Sequence, residues 1–142
     1  MKTLLIRKAI DKDTEILETL FQITRQSTFK SSSPQSFKIG DYKKSVEGEE
    51  VWVAEVDGNI AGFISLWIKD NFIHNLFVHP DYQDCGIGAQ LLQKAEECLS
   101  RPMELKVTID NMKAFKFYEK HGWEKISIYE DKSEPYILLR KY

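Results

Sequence analysis

Apolar and polar positions recur along this chain with periods that predict its elements. Thr3–Ala9 is apolar and bounded by charge, which predicts a first strand. Asp11 and Asp13 then offer N-cap oxygens, and Ile16, Leu17, Leu20, Phe21 and Thr24 recur at helical spacing, so a helix is expected near 12–25. From Gln26 to Gly40 the pattern breaks. Ser31-Ser32-Ser33-Pro34 is a loop signal, yet Phe29, Phe37, Ile39 and Tyr42 lie around it, and a second short helix is expected over 35–47. Val51–Val56 and Ile60–Ile68 read as two strands joined by Asp57-Gly58-Asn59, a strong hairpin turn signal. Phe72–Val78 is a further strand, ended by His79-Pro80-Asp81 because proline cannot continue a central strand.

Ala89, Leu91, Leu92, Ala95, Cys98 and Leu99 form one face of an amphipathic helix. Met103, Leu105, Val107 and Ile109 alternate with Glu104, Lys106 and Thr108, the period of a half-buried strand. Asn111 can cap a helix through Ala114, Phe115, Phe117 and Tyr118, stopped at His121-Gly122. Ile126–Ile128 and Tyr136–Leu139 are closing strands. The order is β-α-α-β-β-β-α-β-α-β-β. Hairpins pair antiparallel, whereas the strand–helix–strand unit over 72–109 demands a parallel pair. The expected fold class is therefore α/β (α+β): a mixed, mostly antiparallel sheet of six to seven strands flanked by about four helices. With 142 residues and no repeat or boundary, 1–142 reads as a single domain.

Composition narrows the function. A net charge of −2 without a basic cluster argues against nucleic acid. No apolar run reaches the ~20 residues of a membrane span, and the N-terminal apolar stretch is too short for a signal peptide. Cys85 and Cys98 have no metal-ligand or disulfide spacing, so no metal is expected and a reducing cytoplasm fits.

The informative segment is Val78-His79-Pro80-Asp81-Tyr82-Gln83-Asp84-Cys85-Gly86-Ile87-Gly88-Ala89, where a strand ends and a helix begins. Unpaired N–H groups and the helix dipole at such a junction favour an anion, and glycines allow close approach. A tight turn alone would explain Gly86 and Gly88 equally well. No Lys-Ser/Thr follows the glycines as in a P-loop, and the third glycine of a dinucleotide fingerprint is missing.

Gln83-Asp84-Cys85-Gly86-Ile87-Gly88 resembles the Q/R-x-x-G-x-G/A motif of the GCN5-related N-acetyltransferases, small bacterial members above all. Asn111–Trp123 is similar to their N-x-x-A-x-x-x-Y-E-K-x-G-F/W segment, in the right order and at the right separation. The resemblance implies acetyl-CoA as cosubstrate and direct transfer to a primary amine. It also implies that the backbone at Leu76, Phe77 and Val78 bonds the pantetheine arm, and that the N–H groups of Gln83, Asp84, Cys85, Gly86, Ile87, Gly88 and Ala89 cradle the pyrophosphate. Asn111 would contact the pantetheine arm, Phe115 and Phe117 would line or support the site, and Tyr118 would be the general acid. Relatives often carry a glycine and a basic residue where this chain has Asp84-Cys85.

The chemistry needs a neutral amine and a protonated leaving thiolate. A phenol suits the second task; a core aromatic is the competing role for Tyr118. His74 is the candidate base, against the commoner structural role of a strand histidine. His79 and His121 read as turn and helix-end residues, and Cys85 as a nucleophile lacks a base. The acceptor is expected between the sheet and the Phe29–Tyr42 segment. It is a small molecule or a peptide; the chain is a monomer or homodimer. The alternative is an acyl-CoA-binding module of the same fold without catalysis.

Overall fold

A computed structural model describes residues 3–28, 40–131 and 133–142. Its strands are β1 (Leu4–Lys8), β2 (Glu50–Val56), β3 (Asn59–Trp67), β4 (Phe72–Val78), β5 (Met103–Thr108), β6 (Glu124–Tyr129) and β7 (Tyr136–Lys141). Its helices are α1 (Thr14–Thr28), α2 (Asp41–Ser45), α3 (Ile87–Cys98) and α4 (Met112–Lys120). The seven strands form one sheet in the order β1-β2-β3-β4-β5-β7-β6. Every neighbouring pair is antiparallel except β4–β5, which is parallel as the crossover through α3 demands.

Helices cover both faces. On one, Leu17, Leu20 and Phe21 of α1 and Tyr42 of α2 pack on Val53 and Phe63. The Phe21, Tyr42, Phe63 and Phe77 rings meet edge-on or tilted, with centroids 5.4–6.4 Å apart. On the other, Ile87, Leu91, Leu92 and Ala95 of α3 and Tyr118 of α4 join Ile64, Leu66, Ile73, Leu105 and Trp123.

Three expectations change in detail. The helix expected near 12–25 starts as a 3-10 turn over Asp11–Asp13 and continues as α1. Asp13 does not cap α1. Its carboxylate accepts from Arg7 at 2.8 and 3.0 Å and from Ile10 N–H at 2.8 Å, which draws the chain into the tighter turn. The helix expected over 35–47 is the short α2. Glu18 Oε2 on α1 accepts from Gly40 N–H at 3.1 Å and Tyr42 N–H at 3.4 Å, setting its start from outside. Residues 35–39, with Phe29, Ser31–Pro34, Phe37 and Ile39 of the expected acceptor wall, lie outside the described residues. The alternating strand ends at Thr108: Ile109 N–H still donates to Pro135 O at 3.1 Å, but proline has no N–H to return and the ladder with β7 stops.

The feature that makes a site is the divergence of β4 from β5. The two pair only through Phe72–Glu104 and Ile73–Leu105. At the next residue β4 bulges: Leu66 pairs Ile73 and Ser65 pairs Asn75, leaving His74 as the extra residue. A bulge bends its strand and sharpens the twist. Beyond it, β4 keeps β3 on one side, and among the described residues no strand pairs with its other edge.

Candidate active site

The gap between the diverging strands opens into a cleft of about 820 Å³. His74, Asn75, Leu76 and Phe77 form one wall, Lys106, Val107 and Thr108 the other, and Asn111, Ala114 and Tyr118 close one end. Asp41, Lys44 and Ser45 of α2 and Ser133, Glu134 and Pro135 before β7 complete it. The edge of β4 that faces β5 is therefore without a paired strand over 74–77 among the described residues. Val78 O is taken by Gln83 Nε2 at 3.2 Å.

At the end of β4 the chain passes through a 3-10 turn (Pro80–Tyr82) into the Gln83–Gly88 loop. His79 has the turn role expected of it, accepting from Asp81 N–H on Nδ1 at 3.0 Å. Gly86 is the N-cap of α3 with φ of 81°, a left-handed conformation that favours glycine. Without a side chain it cannot cap. The first intrahelical bond is Gln90 N–H to Gly86 O, so the amides of Ile87, Gly88 and Ala89 precede any acceptor within the helix. By contrast, α4 is capped as expected, Asn111 Oδ1 accepting from Ala114 N–H at 3.2 Å. The uncapped start of α3 lies on the loop that carries the glycine motif. A Cβ built on Gly88 would come within 3.4 Å of Phe117 Cζ, so the Phe117 ring backs the loop. Asp84 and Cys85 are solvent-exposed; Asp84 occupies the left-handed region at φ 63°.

Sequence reasoning missed two charged neighbours. Lys113 Nζ bonds Gln83 Oε1 at 3.1 Å and brings a cation to a loop that has none of its own. Glu49 Oε2, in the α2–β2 turn, pairs with His74 Nδ1 on β4 at 2.6 Å. Lys113 stood inside the second motif, but only the fold places that helix start against the first. Glu49 sits in a polar run, Glu47-Gly48-Glu49-Glu50, that gives no sign of a histidine partner.

His74 lines the cleft with its side chain 43% exposed. The hydrogen bond to Glu49 raises its pKa above the ordinary histidine value; burial and Lys106 act in the opposite sense. Asn75 is pinned beside it by Ser45 Oγ at 3.0 Å and Ser65 Oγ at 2.9 Å. Tyr118 is buried, its ring edge-on to Phe117 and Trp123. Among the described residues none bonds its hydroxyl, and burial alone pushes its pKa well above the usual phenol value. His121 is a helix-end residue, Nδ1 lying 2.8 Å from Phe117 O. Among the described residues no cluster fit to hold a metal exists, and no helix is long and apolar enough to cross a membrane.

The comparisons agree with this geometry. An uncharacterized N-acetyltransferase of Methanocaldococcus jannaschii is 36% identical over an 86-residue alignment covering 51% of this chain and 38% of that protein. The matched stretch spans 38–64% of the length of the curated relatives. The fold is shared with a PaiA N-acetyltransferase of Thermoplasma acidophilum in complex with coenzyme A, at TM-score 0.83, 24% identity and 99% coverage of both chains. It is shared too with the ribosomal-protein-S18-alanine N-acetyltransferase of Escherichia coli, at TM-score 0.75, 20% identity and coverage of 98% and 93%. The sequence profile of the acetyltransferase (GNAT) family matches residues 17–123, most of the chain, and the protein belongs to that family.

Proposed function

We propose that this chain moves an acetyl group directly from acetyl-CoA to a primary amine. The observation that carries the reading is the splayed β4–β5 edge running into an uncapped, glycine-led helix start. In it the pantetheine arm lies along Leu76, Phe77 and Val78 with Asn111 opposite. The pyrophosphate sits on the amides of Gln83, Asp84, Cys85, Gly86, Ile87, Gly88 and Ala89, with Lys113 as counter-charge. Phe117 supports the loop and Phe115, partly buried against the core, supports the helix. Asp84 is compatible with this because it is exposed to water, where its charge is screened.

His74 takes a proton from the incoming ammonium, Tyr118 gives one to the departing thiolate, and the carbonyl–nitrogen bond replaces the carbonyl–sulfur bond. Tyr118 stays protonated at all working pH because burial holds its pKa high. The cleft wall sets Asp41, Asp110 and Glu134 against Lys44 and Lys106, an acidic excess of one that suits an acceptor arriving as a cation. The Escherichia coli neighbour, named for a protein alanine, supports including peptides among the acceptors. Residues 1–142 are read as one acetyltransferase domain, supported by the single sheet. The two free thiols support a cytoplasmic setting.

Free-thiol release from acetyl-CoA, screened against polyamines, amino acids, aminoglycosides and peptides, tests the reading. Amine-dependent release with matching acetylated product is expected. Tight acetyl-CoA binding with no release on any acceptor class would favour the non-catalytic alternative.

A further inference from the structure

The Glu49 carboxylate is a costly group to keep where it is. Its side chain is 7% exposed, and Oε1 is buried with no hydrogen-bond partner among the described residues. Oε2 has His74 Nδ1 at 2.6 Å. Glu49 is also held locally: its N–H bonds Val46 O at 2.8 Å, and Gly48 before it turns the chain at φ 77°. It is absent from the wall of the 820 Å³ cleft, whereas His74 is part of that wall. Glu49 therefore reaches the acceptor only through the imidazole. The neighbouring Glu50 is engaged elsewhere, with Trp52 Nε1 at 2.9 Å and Lys8 at 3.6 Å.

We propose that Glu49 is a positioning residue for acetyl transfer, fixing the His74 ring through Nδ1–H so that Nε2 is the atom that accepts the amine's proton. The inference rests on the reading of His74 as base and adds what orients and charges it. An ionised carboxylate only accepts, so neutral His74 carries its proton on Nδ1 and its lone pair on Nε2. When Nε2 takes a proton, the imidazolium is stabilised by the carboxylate already in contact. Of the two protons the ammonium nitrogen loses, His74 passes one to solvent. The other restores Tyr118 after it has protonated the thiolate. The neighbouring Asn75 is anchored, donating to both Ser45 Oγ and Ser65 Oγ, which holds the strand beside the ring. Lys106 of β5 also acts on the ring, and the same cleft wall carries Asp41 and Lys44 of α2 with Asp110 and Glu134.

The raised pKa of His74 supports this arrangement: its neutral, accepting form emerges only above a pH higher than that of an ordinary histidine, ~6.5. Nitrogen-15 NMR of the full chain without substrate reads both properties. The wild type should show the Nδ1–H tautomer and a raised pKa. Glu49→Gln, which keeps the volume and an accepting oxygen, should lower that pKa by about one unit or more. The acidic limb of kcat/KM for the acceptor found by thiol release should move to lower pH by the same amount. An Nε2–H tautomer in the wild type, readable even if the variant folds poorly, would overturn the proposal. So would a limb and pKa unmoved in folded Glu49→Gln, provided His74→Ala abolishes turnover. Full turnover with an unchanged profile in His74→Ala would instead overturn the base assignment, and this inference with it.

Discussion

Lys113 Nζ lies 3.1 Å from Gln83 Oε1, and the same Gln83 side chain donates to Val78 O at 3.2 Å, so the first turn of α4, the glycine loop and the end of β4 are joined through one amide. Gln83 thus aligns the loop while Lys113 lends it the positive charge that Asp84-Cys85 does not. Replacing Lys113 with Ala should raise KM for acetyl-CoA roughly 3–10-fold with kcat little changed. The effect should shrink in high salt, since both groups are exposed. Steady-state kinetics at two ionic strengths checks it.

Tyr118→Phe keeps a ring that packs against Phe117 and Trp123 and removes only the hydroxyl. Stability should change little, because no described residue bonds that hydroxyl. The kcat should fall roughly 10²–10⁴-fold with KM for acetyl-CoA nearly unaltered. The loss should be smaller with a donor whose thiol is more acidic, because that thiolate needs its proton less. A near-normal kcat would assign the proton to water or to His74.

Most of the architecture was legible because its signals are local. The Asp57-Gly58 turn has φ of 50° and 85°, the left-handed pair that a two-residue hairpin uses, and the dipeptide announces it. The alternation through Met103–Thr108 and the stop at Gly122, φ 91°, were equally direct. The glycine loop was readable in the same way. What the sequence concealed depends on distant partners. Asp13 read as a cap because nothing local shows Arg7 beside it. The His74-Asn75 pair inside Phe72–Val78 gives no sign of a bulge, yet the bulge lies where the β4–β5 pairing ends and the cleft opens. Glu49 and Lys113 gain their meaning from residues 25 and 30 positions away.

The Arg7–Asp13–Glu55 cluster should stabilise the β1–α1 corner. Asp13 is buried, and its bond to Arg7 holds its carboxyl below the ordinary value of 3.8. A depressed carboxylate pKa contributes stability that is complete above the unfolded value and lost as pH falls through the folded one. Asp13→Asn should therefore cost about 1–3 kcal/mol at neutral pH, discounted because Arg7 keeps 27% of its side chain in water. The gap to wild type should begin to narrow below about pH 4 and keep narrowing as pH falls toward the depressed folded value. Urea melts of both proteins from pH 7 to pH 3 measure it.

The central claim is that the uncapped start of α3 holds the pyrophosphate of acetyl-CoA, and Gly86→Val tests it most directly. At φ 81° a β-branched residue is strained, although a Cβ there would meet no atom within 4 Å. The substitution therefore acts on the loop backbone and not on the core. Calorimetric titration with acetyl-CoA should give a saturable isotherm for the wild type and none for a Gly86→Val protein that keeps the wild-type circular dichroism spectrum. An unchanged Kd in that folded variant would contradict the account.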